Sequence, residues 1–403
     1  MTVCGIIAEY NPFHNGHRYQ IQKARALSGA DAVAVVMSGN FVQRGEPAIC
    51  DKYIRTKAAL QNGADIVFEL PVFFAAASAA YFAAAAVGLL DQSGIVDFLC
   101  FGSESGDIAA LSAIAEHLSR ETADFKSKLN AALKTGLSFP SARQKALGGA
   151  FPVPGQPNDI LAIEYLKALK AAESRIKPLA IRRKGAGYHA ETLPAGGQNP
   201  SASAIRKWIQ STPAGLPLLK TAMPETSLAL LAEAIENGNA PNTLDRFSHI
   251  FRYLMATERR KDILDVNEGL ENRMRQFAAT DPTISEIAAR VKTKRYTHTK
   301  IQRAILHTIL NISMTDFEKF MNSGGAHYIR VLGFRKEKSA VLAQLKEKAG
   351  LPVLLNLKHA KKTLTADGMK MLRHEILTTD IYNLGLDTPR APDYEYSVPL
   401  CII

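Results

Sequence analysis

The sequence has few cysteines, and none of them lies in a metal-binding pattern. Only Cys4, Cys50, Cys100 and Cys401 occur among its 403 residues, and no two of them form a Cys-x-x-Cys pair. A structural zinc site is therefore not expected. Scattered free thiols are typical of a reducing compartment, so we expect a cytoplasmic protein. The first residues lack a basic segment followed by a long apolar core, and no signal peptide is expected.

Long uncharged runs are also scarce. Residues 70–90 form one stretch without charge that is long enough to span a bilayer. It is rich in alanine, contains Pro71 and Gly88, and lies between Glu69 and Asp91, which does not fit a transmembrane helix. We expect the end of a strand, then Pro71, then a buried helix that crosses over the sheet. No association with a membrane is expected.

Acidic residues are outnumbered by basic ones, and the formal net charge is +11 with a pI of about 9.4. Residues 206–403 hold 29 Lys and Arg against 21 Asp and Glu, whereas residues 1–205 hold 20 against 17. The excess therefore lies mainly in the second half. This distribution favours a polyanionic partner such as a nucleic acid, although a merely basic soluble domain has the same composition.

The first 205 residues alternate between apolar, β-branched runs and helical patterns. This alternation predicts an α/β fold with a Rossmann-like parallel sheet and helices on both faces. Strands are expected at residues 3–9, 32–37, 65–70, 96–101 and 178–182, and helices at residues 16–27, 51–62, 73–89, 107–118, 121–134 and 159–171.

From residue 206 onward strand patterns nearly disappear. Residues 353–357 are one short strand candidate, and residues 331–333 are a weaker one; helical patterns fill most of the rest. We therefore expect two domains, a nucleotide-binding domain over residues 1–205 and a mainly α-helical region over residues 206–403.

Two histidines, His14 and His17, stand at the head of a helical pattern just after the first expected strand. Their spacing puts both imidazoles on one face of the first helical turn. That turn also offers free N–H groups and the positive end of the helix dipole, which suit an anion. Gly16 lets a bulky ligand approach the backbone. The pattern predicts a site for a nucleoside triphosphate, although two surface histidines also meet this spacing by chance.

Other candidates follow further strands of the expected sheet, where parallel sheets bind their ligands. Residues 38–40 follow the second strand, Gly102 and Ser103 follow the fourth, and Arg183 follows the fifth. The guanidinium of Arg183 can clamp a phosphate with two hydrogen bonds. Gly102 either opens the backbone to a base or ribose or is an ordinary turn glycine.

Two expected helix starts complete the candidate site. Asn158 heads the helix expected at residues 159–171, which suits a capping residue. Ser201 or Ser203 can cap a later helix whose N–H groups would face phosphates, with Arg206 in its next turn.

These motifs resemble known signatures. Residues 14–17, His-Asn-Gly-His, resemble the His-x-Gly-His signature of the nucleotidyltransferase superfamily, and residues 201–207 resemble its second signature. More narrowly, the chain resembles the bacterial tRNA-Met cytidine acetate ligase family. The segments that match lie, in the same order, at residues 8–17, 37–45, 101–104, 187–189 and 294–297.

The resemblance implies ATP-dependent acetylation of the wobble cytidine of elongator tRNA-Met. Acetate would attack the α-phosphate of ATP to give acetyl-adenylate, and the exocyclic amine of the cytidine would then take the acetyl group and release AMP. His14, His17 and Arg183 would be catalytic because they stabilise charge on the phosphates. The ATP-binding residues implied are Ile7, Ala8, Glu9, Asn11, His14, Gly16, His17, Gln20, Gly102, Asn158, Arg183, Ser203 and Arg206.

No dedicated metal ligands are recognisable, so Mg²⁺ is expected to arrive on the phosphates of ATP. No Ser-His-Asp or Cys-His set stands out, and this chemistry needs none. The acetate is expected to bind beside the α-phosphate, near residues 38–40 or the loop after Tyr10.

The RNA-binding residues expected are Lys294, Arg295 and Lys300, where basic side chains alternate with Tyr296 and His298. A solvated helix face would show the same pattern. Two rival functions share parts of these signals. An adenylyltransferase acting on a small cofactor precursor would carry both signatures, and a non-catalytic ATP- and RNA-binding protein would carry the basic half.

Overall fold

The structure is a computed structural model that describes residues 1–120, 122–147, 156–183, 200–257, 261–266 and 269–403. One segment of the family resemblance, residues 187–189, lies outside this described part. Ten strands lie within it. They are β1 (Val3–Ala8), β2 (Ala32–Ser38), β3 (Phe41–Val42), β4 (Glu46–Pro47), β5 (Ile66–Leu70), β6 (Phe98–Ser103), β7 (Lys177–Arg182), β8 (Ile329–Phe334), β9 (Val353–Leu354) and β10 (Cys401–Ile402).

Eighteen α-helices lie in the same described residues. They are α1 (Asn15–Ser28), α2 (Lys52–Gln61), α3 (Val72–Ala75), α4 (Ala79–Gln92), α5 (Ile108–Ser119), α6 (Ala123–Lys134), α7 (Phe139–Ala146), α8 (Pro157–Ala171), α9 (Ala202–Ser211), α10 (Glu225–Glu236), α11 (Ser248–Thr257), α12 (Leu270–Ala278), α13 (Ile284–Val291), α14 (His298–Leu310), α15 (Met314–Asn322), α16 (Ser339–Lys348), α17 (Ala360–Thr363) and α18 (Ala366–Asn383). Short 3₁₀ segments are Pro213–Thr221, Leu244–Phe247, Lys336–Lys338, Leu357–His359 and Tyr394–Tyr396.

The main sheet has helices on both of its faces. All seven residues of β2 are buried, as expected for a strand that is covered on both sides. Its successive side chains belong to different cores, because alternate residues of a strand point to opposite faces. Val33 and Val35 pack in the core that includes Ile21 of α1, whereas Ala34 and Val36 pack in the core that includes Ala86 of α4.

The strand order places a ligand crevice beside β1. Along the sheet the order is β10-β8-β5-β2-β1-β6-β7, and β9 also pairs with β8. The five strands from β5 to β7 in this order are parallel. The chain moves from β1 outwards to β5 and then returns to the other side of β1 with β6. Ligands of such sheets bind at the carboxyl ends of the strands where the order reverses, here between β1 and β6.

The second half of the chain adds strands to this same sheet. β8 runs antiparallel to β5, and both β9 and β10 run parallel to β8. The weak candidate at residues 331–333 is thus part of a six-residue buried strand, while only two residues of the candidate at 353–357 form a strand. The expected domain boundary at residue 205 divides the strands of one sheet, because β7 lies before it and β8 lies after it. The division into two domains stays a prediction.

The five strands expected in the first half are confirmed within two residues at each end. The helix expected at residues 73–89 is two helices, α3 and α4. Between them the chain leaves the helical path, and the carbonyl oxygens of Ala76 and Ala77 lie within hydrogen-bond distance of side chains on other elements. Helix α7 was not expected at all. None of the helices in the described ranges is long and apolar enough to cross a membrane.

Candidate active site

A cavity of about 360 Å³ opens at the carboxyl ends of β1 and β6. Every residue that was predicted to contact ATP lines this cavity, except Gly16. Gly16 lies in the first turn of α1, between His14 and His17, which do line the cavity. The structure therefore brings together residues that are up to 199 positions apart in the sequence, from Ile7 to Arg206. The lining residues are Ile7, Ala8, Glu9, Tyr10, Asn11, His14, His17, Gln20, Gln43, Arg44, Ala79, Phe82, Phe101, Gly102, Pro157, Asn158, Ile160, Leu161, Tyr165, Arg183, Ser201, Ala202, Ser203, Arg206, Thr299 and Arg303.

His14 and His17 begin the first helix as a reciprocal cap. His14 is the N-cap of α1, and its Nδ1 accepts a hydrogen bond from the amide of Gly16 at 3.0 Å. Nδ1 of His17 in turn accepts the amide of His14 at 3.2 Å. Each side chain thus satisfies an amide at the helix start that has no partner within the helix. The cap fixes both imidazoles at the floor of the cavity.

Both imidazoles are neutral in this site. Burial lowers the pKa of His14 to about 3, and Arg183 adds to the shift. The pKa of His17 is also well below its usual value, through burial and then through His14 and Arg183. Because both Nδ1 atoms accept amide hydrogens, the proton of each neutral ring lies on Nε2. Each ring therefore has one N–H left to donate.

Aromatic residues of the preceding loop support the second imidazole. Tyr10 and His17 meet edge to face with ring centres 4.9 Å apart, and Phe13 lies 5.6 Å from His17. The backbone of Tyr10 is left-handed, with φ of 50°, which turns the chain sharply at the end of β1. The turn brings both rings against the helix start.

Arg55 of α2 holds the loops that follow β1 and β2. Its guanidinium is buried and donates to the carbonyl oxygens of Glu9 at 2.7 Å and Ser38 at 3.0 Å, and also to that of Gly39. Nε donates to the carbonyl oxygen of Cys50 at 3.1 Å. One side chain thus joins the ends of two neighbouring strands, and sequence reasoning did not identify it.

The side chain of Asn158 connects two other parts of the site. Asn158 is the second residue of α8 and does not cap it, which corrects the capping interpretation. Its Nδ2 donates to Oε1 of Glu104 at 2.6 Å, and its Oδ1 accepts from Arg183 at 3.2 Å. The helix starts earlier than expected because Pro157 suits the first position of a helix.

The second signature lies against the loop between β1 and α1. Ser201 caps α9, as expected, since its Oγ accepts the amide of Ala204 at 3.1 Å. Arg206 donates to the carbonyl oxygen of Asn11 at 2.8 Å and to Oε1 of Glu46 at 2.6 Å. Nδ2 of Asn11 is buried and has no hydrogen-bond partner in the described residues, so this amide can still donate to a ligand.

An apolar side of the cavity comes from α4, β6 and α8. It includes Phe82, Phe101, Leu161 and Tyr165, and the rings of Phe101 and Tyr165 lie 5.8 Å apart. Apolar walls with a few polar groups are typical of pockets for small molecules and cofactors.

A further wall of the cavity was not expected from the sequence. Gln43 and Arg44 precede β4, and Thr299 and Arg303 share a face of α14. Gly45 lets these two segments meet. Its φ is +80°, and a Cβ there would lie 2.4 Å from the backbone nitrogen of Arg303. Gln43 and Arg44 lie within the stretch 37–45 that carries the family resemblance, and α14 directly follows the stretch 294–297. That resemblance was the one signal in the sequence that could have identified them.

Residues 38–40 do not line the cavity, so of the two places expected for acetate only the loop after Tyr10 borders it. Ser38 and Asn40 are buried, and neither lines the pocket. Oδ1 of Asn40 accepts the amide of Lys52 at 2.9 Å, and its Nδ2 donates to Thr379 at 3.0 Å. A strand end predicts the edge of the sheet, but it does not predict the direction in which each side chain turns.

The comparisons with known proteins agree with this geometry. Residues 1–395 match the model of the family described as HIGH Nucleotidyl Transferase. The chain is 41% identical over 401 residues to the tRNA(Met) cytidine acetate ligase of Acetivibrio thermocellus, with 96% of each chain covered. It is 40% identical over 407 residues to the ligase of that name from Thermoanaerobacter sp. (strain X514), with 99% of each covered. The chain belongs to the tRNA(Met) cytidine acetate ligase family.

Two solved structures have the fold of this family member. The crystal structure of Thermotoga maritima TmcAL (apo, form I) matches with a TM-score of 0.94 at 32% identity, over the whole of both chains. The structure of Thermotoga maritima TmcAL bound with alpha-thio ATP (Form II) matches over the same range with a TM-score of 0.90. The prediction of an α/β nucleotidyltransferase fold is confirmed.

Of the residues predicted to bind RNA, Lys294 and Arg295 precede α14, and Lys300 lies in its first turn next to Thr299, which lines the cavity. Lys294 and Arg295 are exposed, and Nζ of Lys300 lies 5.3 Å from the ring centre of Tyr296. Tyr296 is buried in the core, so it offers no face to a base, which corrects that part of the interpretation. His298 is exposed and lies 3.0 Å from Oε1 of Gln302.

Proposed function

We propose that this protein is an ATP-dependent acetate ligase that forms N4-acetylcytidine at the wobble position of elongator tRNA-Met. One observation carries this conclusion. A single cavity at the strand-order reversal collects the two histidines, Asn158, Arg183 and the second signature with Ser203 and Arg206. The relatives whose names state this activity cover nearly the whole chain.

In the first step the oxygen of acetate attacks the α-phosphorus of ATP. The bond to the bridging oxygen breaks, and pyrophosphate leaves with that electron pair. The Nε2–H groups of His14 and His17 and the guanidinium of Arg183 donate to the phosphate oxygens as charge builds up. Such donors act strongly because they are already oriented and partly shielded from water. Neutral imidazoles lose no proton in this step, so they serve as fixed donors.

The ATP is held by the groups around these donors. The buried amide of Asn11 and the first turn of α9 provide N–H groups, and the apolar side with Phe101 and Tyr165 receives the adenine. The described residues contain no cluster of three potential metal ligands. Mg²⁺ would enter bound to the phosphates of ATP.

In the second step the acetyl group passes to the tRNA, and AMP leaves. Docking of the tRNA involves the basic second half, with Lys294, Arg295 and Lys300. Action on a tRNA is consistent with a cytoplasmic enzyme.

The direct test supplies the purified protein with ATP, ¹⁴C-acetate and an elongator tRNA-Met transcript. We expect labelled N4-acetylcytidine at the wobble position by mass spectrometry, with AMP and pyrophosphate as coproducts. A transcript with uridine at that position is the matched control and should stay unlabelled. Pyrophosphate release that needs no acetate would instead favour an adenylyltransferase of a cofactor precursor. Binding of ATP and tRNA without any turnover would show a non-catalytic protein.

A further inference from the structure

The wall formed by Glu9, Gln43 and Arg303, here called the acceptor wall, takes no part in the adenylation step described above. Glu9 lies at the end of β1, Gln43 in the next loop, and Arg303 on α14, and all three line the same cavity. Gly45 joins the loop to α14 by direct backbone contact. The wall is therefore a fixed part of the fold.

Arg303 presents an unused pair of donors. Its Nε donates to Oδ2 of Asp265 at 3.0 Å, and the side chain is only 11% exposed. Neither of its Nη atoms has a hydrogen-bond partner among the residues that the structure describes. A guanidinium that is fixed through Nε offers its two Nη groups as a rigid fork for two neighbouring acceptors.

Glu9 and Gln43 present unused acceptors. Oε1 of Glu9 accepts the amide of Gln43 at 3.0 Å, and the Gln43 side chain donates to the carbonyl oxygen of Ala77 at 3.3 Å. In the described part of the chain, Oε2 of Glu9 and the side-chain oxygen of Gln43 accept no hydrogen bond. A carboxylate would repel phosphates, so these acceptors suit a ligand with N–H groups.

We propose that the acceptor wall binds the Watson–Crick edge of the target cytosine and that Glu9 takes the proton of its amine. The inference rests on the proposed function. Cytosine presents two adjacent acceptors, O2 and N3, which match the fork of Arg303. Its N4 amine donates, which matches Glu9 and Gln43. Uracil has an N3–H donor where cytosine has the N3 acceptor, and an O4 acceptor where cytosine has the N4 amine. Both groups of uracil would therefore lack hydrogen-bond partners on the same wall.

The acetyl group then passes from the adenylate to the amine of the bound cytosine. N4 of the cytosine attacks the acetyl carbonyl carbon and forms a C–N bond, while one N4 proton moves to Oε2 of Glu9. The bond between the acetyl carbon and the phosphate oxygen breaks, and AMP leaves with that electron pair. Burial raises the pKa of the Glu9 carboxyl, which makes its carboxylate a better proton acceptor. Glu9 is thus a catalytic residue of the second step only.

The position of α14 gives the base a path to this wall. Its first turn follows the basic segment at residues 292–297. Thr299 in that turn and Arg303 in the next turn line the cavity. An RNA backbone held at the basic segment would place a flipped-out nucleotide beside Arg303.

The test compares single-turnover acetyl transfer to tRNA-Met with cytidine or 3-deazacytidine at the wobble position. Removal of N3 should slow the wild-type protein about tenfold or more, since one good bidentate contact is lost. Arg303→Met should be slow on both substrates and lose the preference between them. Arg143→Met is the matched control, because Arg143 also pairs with a carboxylate, Glu164 at 2.8 Å, but lies outside the cavity. It should keep the wild-type preference.

Two outcomes would overturn the inference. One is wild-type protein that acetylates both substrates equally fast, and the other is Arg303→Met protein that keeps the wild-type preference. If that variant does not fold, Glu9→Gln provides the test. Its rate of acetyl transfer should fall at least about tenfold more than its rate of acetate-dependent ATP–pyrophosphate exchange. The transfer rate of this variant should also no longer rise with pH, because the carboxylate that takes the proton is missing. Equal losses in both reactions contradict a role for Glu9 in the second step. Wild-type exchange without any tRNA acetylation contradicts the proposed function itself.

Discussion

The imidazole rings of His14 and His17 are stacked, with ring centres 3.7 Å apart and 24° between their planes. Two imidazolium ions would repel each other at this distance in a buried site, whereas two neutral rings pack well. The stack, the reciprocal cap and the lowered pKa values therefore describe one arrangement, a pair of neutral donors at a helix start.

The first prediction concerns these donors. His14→Ala and His17→Ala should each cost on the order of 2–4 kcal/mol of transition-state stabilisation in adenylate formation, as removal of one oriented donor does. Acetate-dependent ATP–pyrophosphate exchange measures this. His14→Asn is the control for stability, because asparagine still caps the helix but lacks the Nε2 donor. Near-wild-type exchange in the alanine variants would show that the histidines have no such role.

The second prediction is that stability falls on mild acidification. The folded-state pKa of His14 is about 3, below the unfolded value near 6.5, so protons favour the unfolded chain. The stability contribution is complete above pH 6.5 and is lost as the pH falls towards 3. At pH 5 the loss from His14 alone is about 2 kcal/mol. Urea titrations from pH 8 to pH 5 should show it, and His14→Asn should reduce the slope.

The third prediction contrasts two buried glutamates that share an ionic cluster with Lys52 and Arg330. The two cations pair with Glu395 and hold its pKa at about 2 despite burial, so it is ionised. Burial and neighbouring carboxylates raise the pKa of Glu375 well above its usual value, which favours its neutral form. Glu395→Gln should cost about 3–5 kcal/mol because it leaves buried charge uncompensated.

Glu375→Gln is the matched variant, since it replaces one neutral side chain by another of the same size. Its cost should be below about 1.5 kcal/mol. Urea unfolding at pH 7 gives both values. Equal losses for the two variants would mean that the charge assignment is wrong.

The fourth prediction separates RNA docking from adenylation. Simultaneous replacement of Lys294, Arg295 and Lys300 by glutamine should weaken tRNA binding and flatten its dependence on salt, because fewer counterions are released. Acetate-dependent exchange without tRNA should persist. If the affinity for tRNA is unchanged while ATP–pyrophosphate exchange is lost, these three residues do not bind RNA. Replacement of the exposed cations Arg120, Lys128 and Lys170 provides the charge-matched control.

The fifth prediction concerns the acyl donor. The protein should acetylate tRNA with acetate and ATP, and acetyl-CoA alone should give no product. A pocket sized for a methyl group discriminates against one added methylene by only about 1–3 kcal/mol, so propionate should be a poor but detectable substrate. Mass spectrometry of the modified cytidine scores all three reactions. Product from acetyl-CoA without ATP would overturn the ligase mechanism.

Local patterns in the sequence were enough to predict the centre of the fold. The apolar runs of β1, β2 and β5 and the helices between them have periods that are visible over ten residues or so. The same holds for His14 and His17 on one helical turn and for Ser201 as a cap, because spacing and capping are local properties. The rule that ligands bind where the strand order reverses then placed the site.

The tertiary structure decided what depends on contacts between distant segments. β8 joins the sheet by pairing antiparallel with β5, and the apolar run at residues 331–333 carries no local signal that identifies this partner. Tyr296 lies in a core that forms when α13 and α14 pack, so a motif that reads as an RNA platform is partly buried. The backbone of Arg303 packs against Gly45 because glycine has no Cβ there, a contact between residues 258 positions apart in the sequence. Such contacts depend on packing in three dimensions, and no local period encodes them.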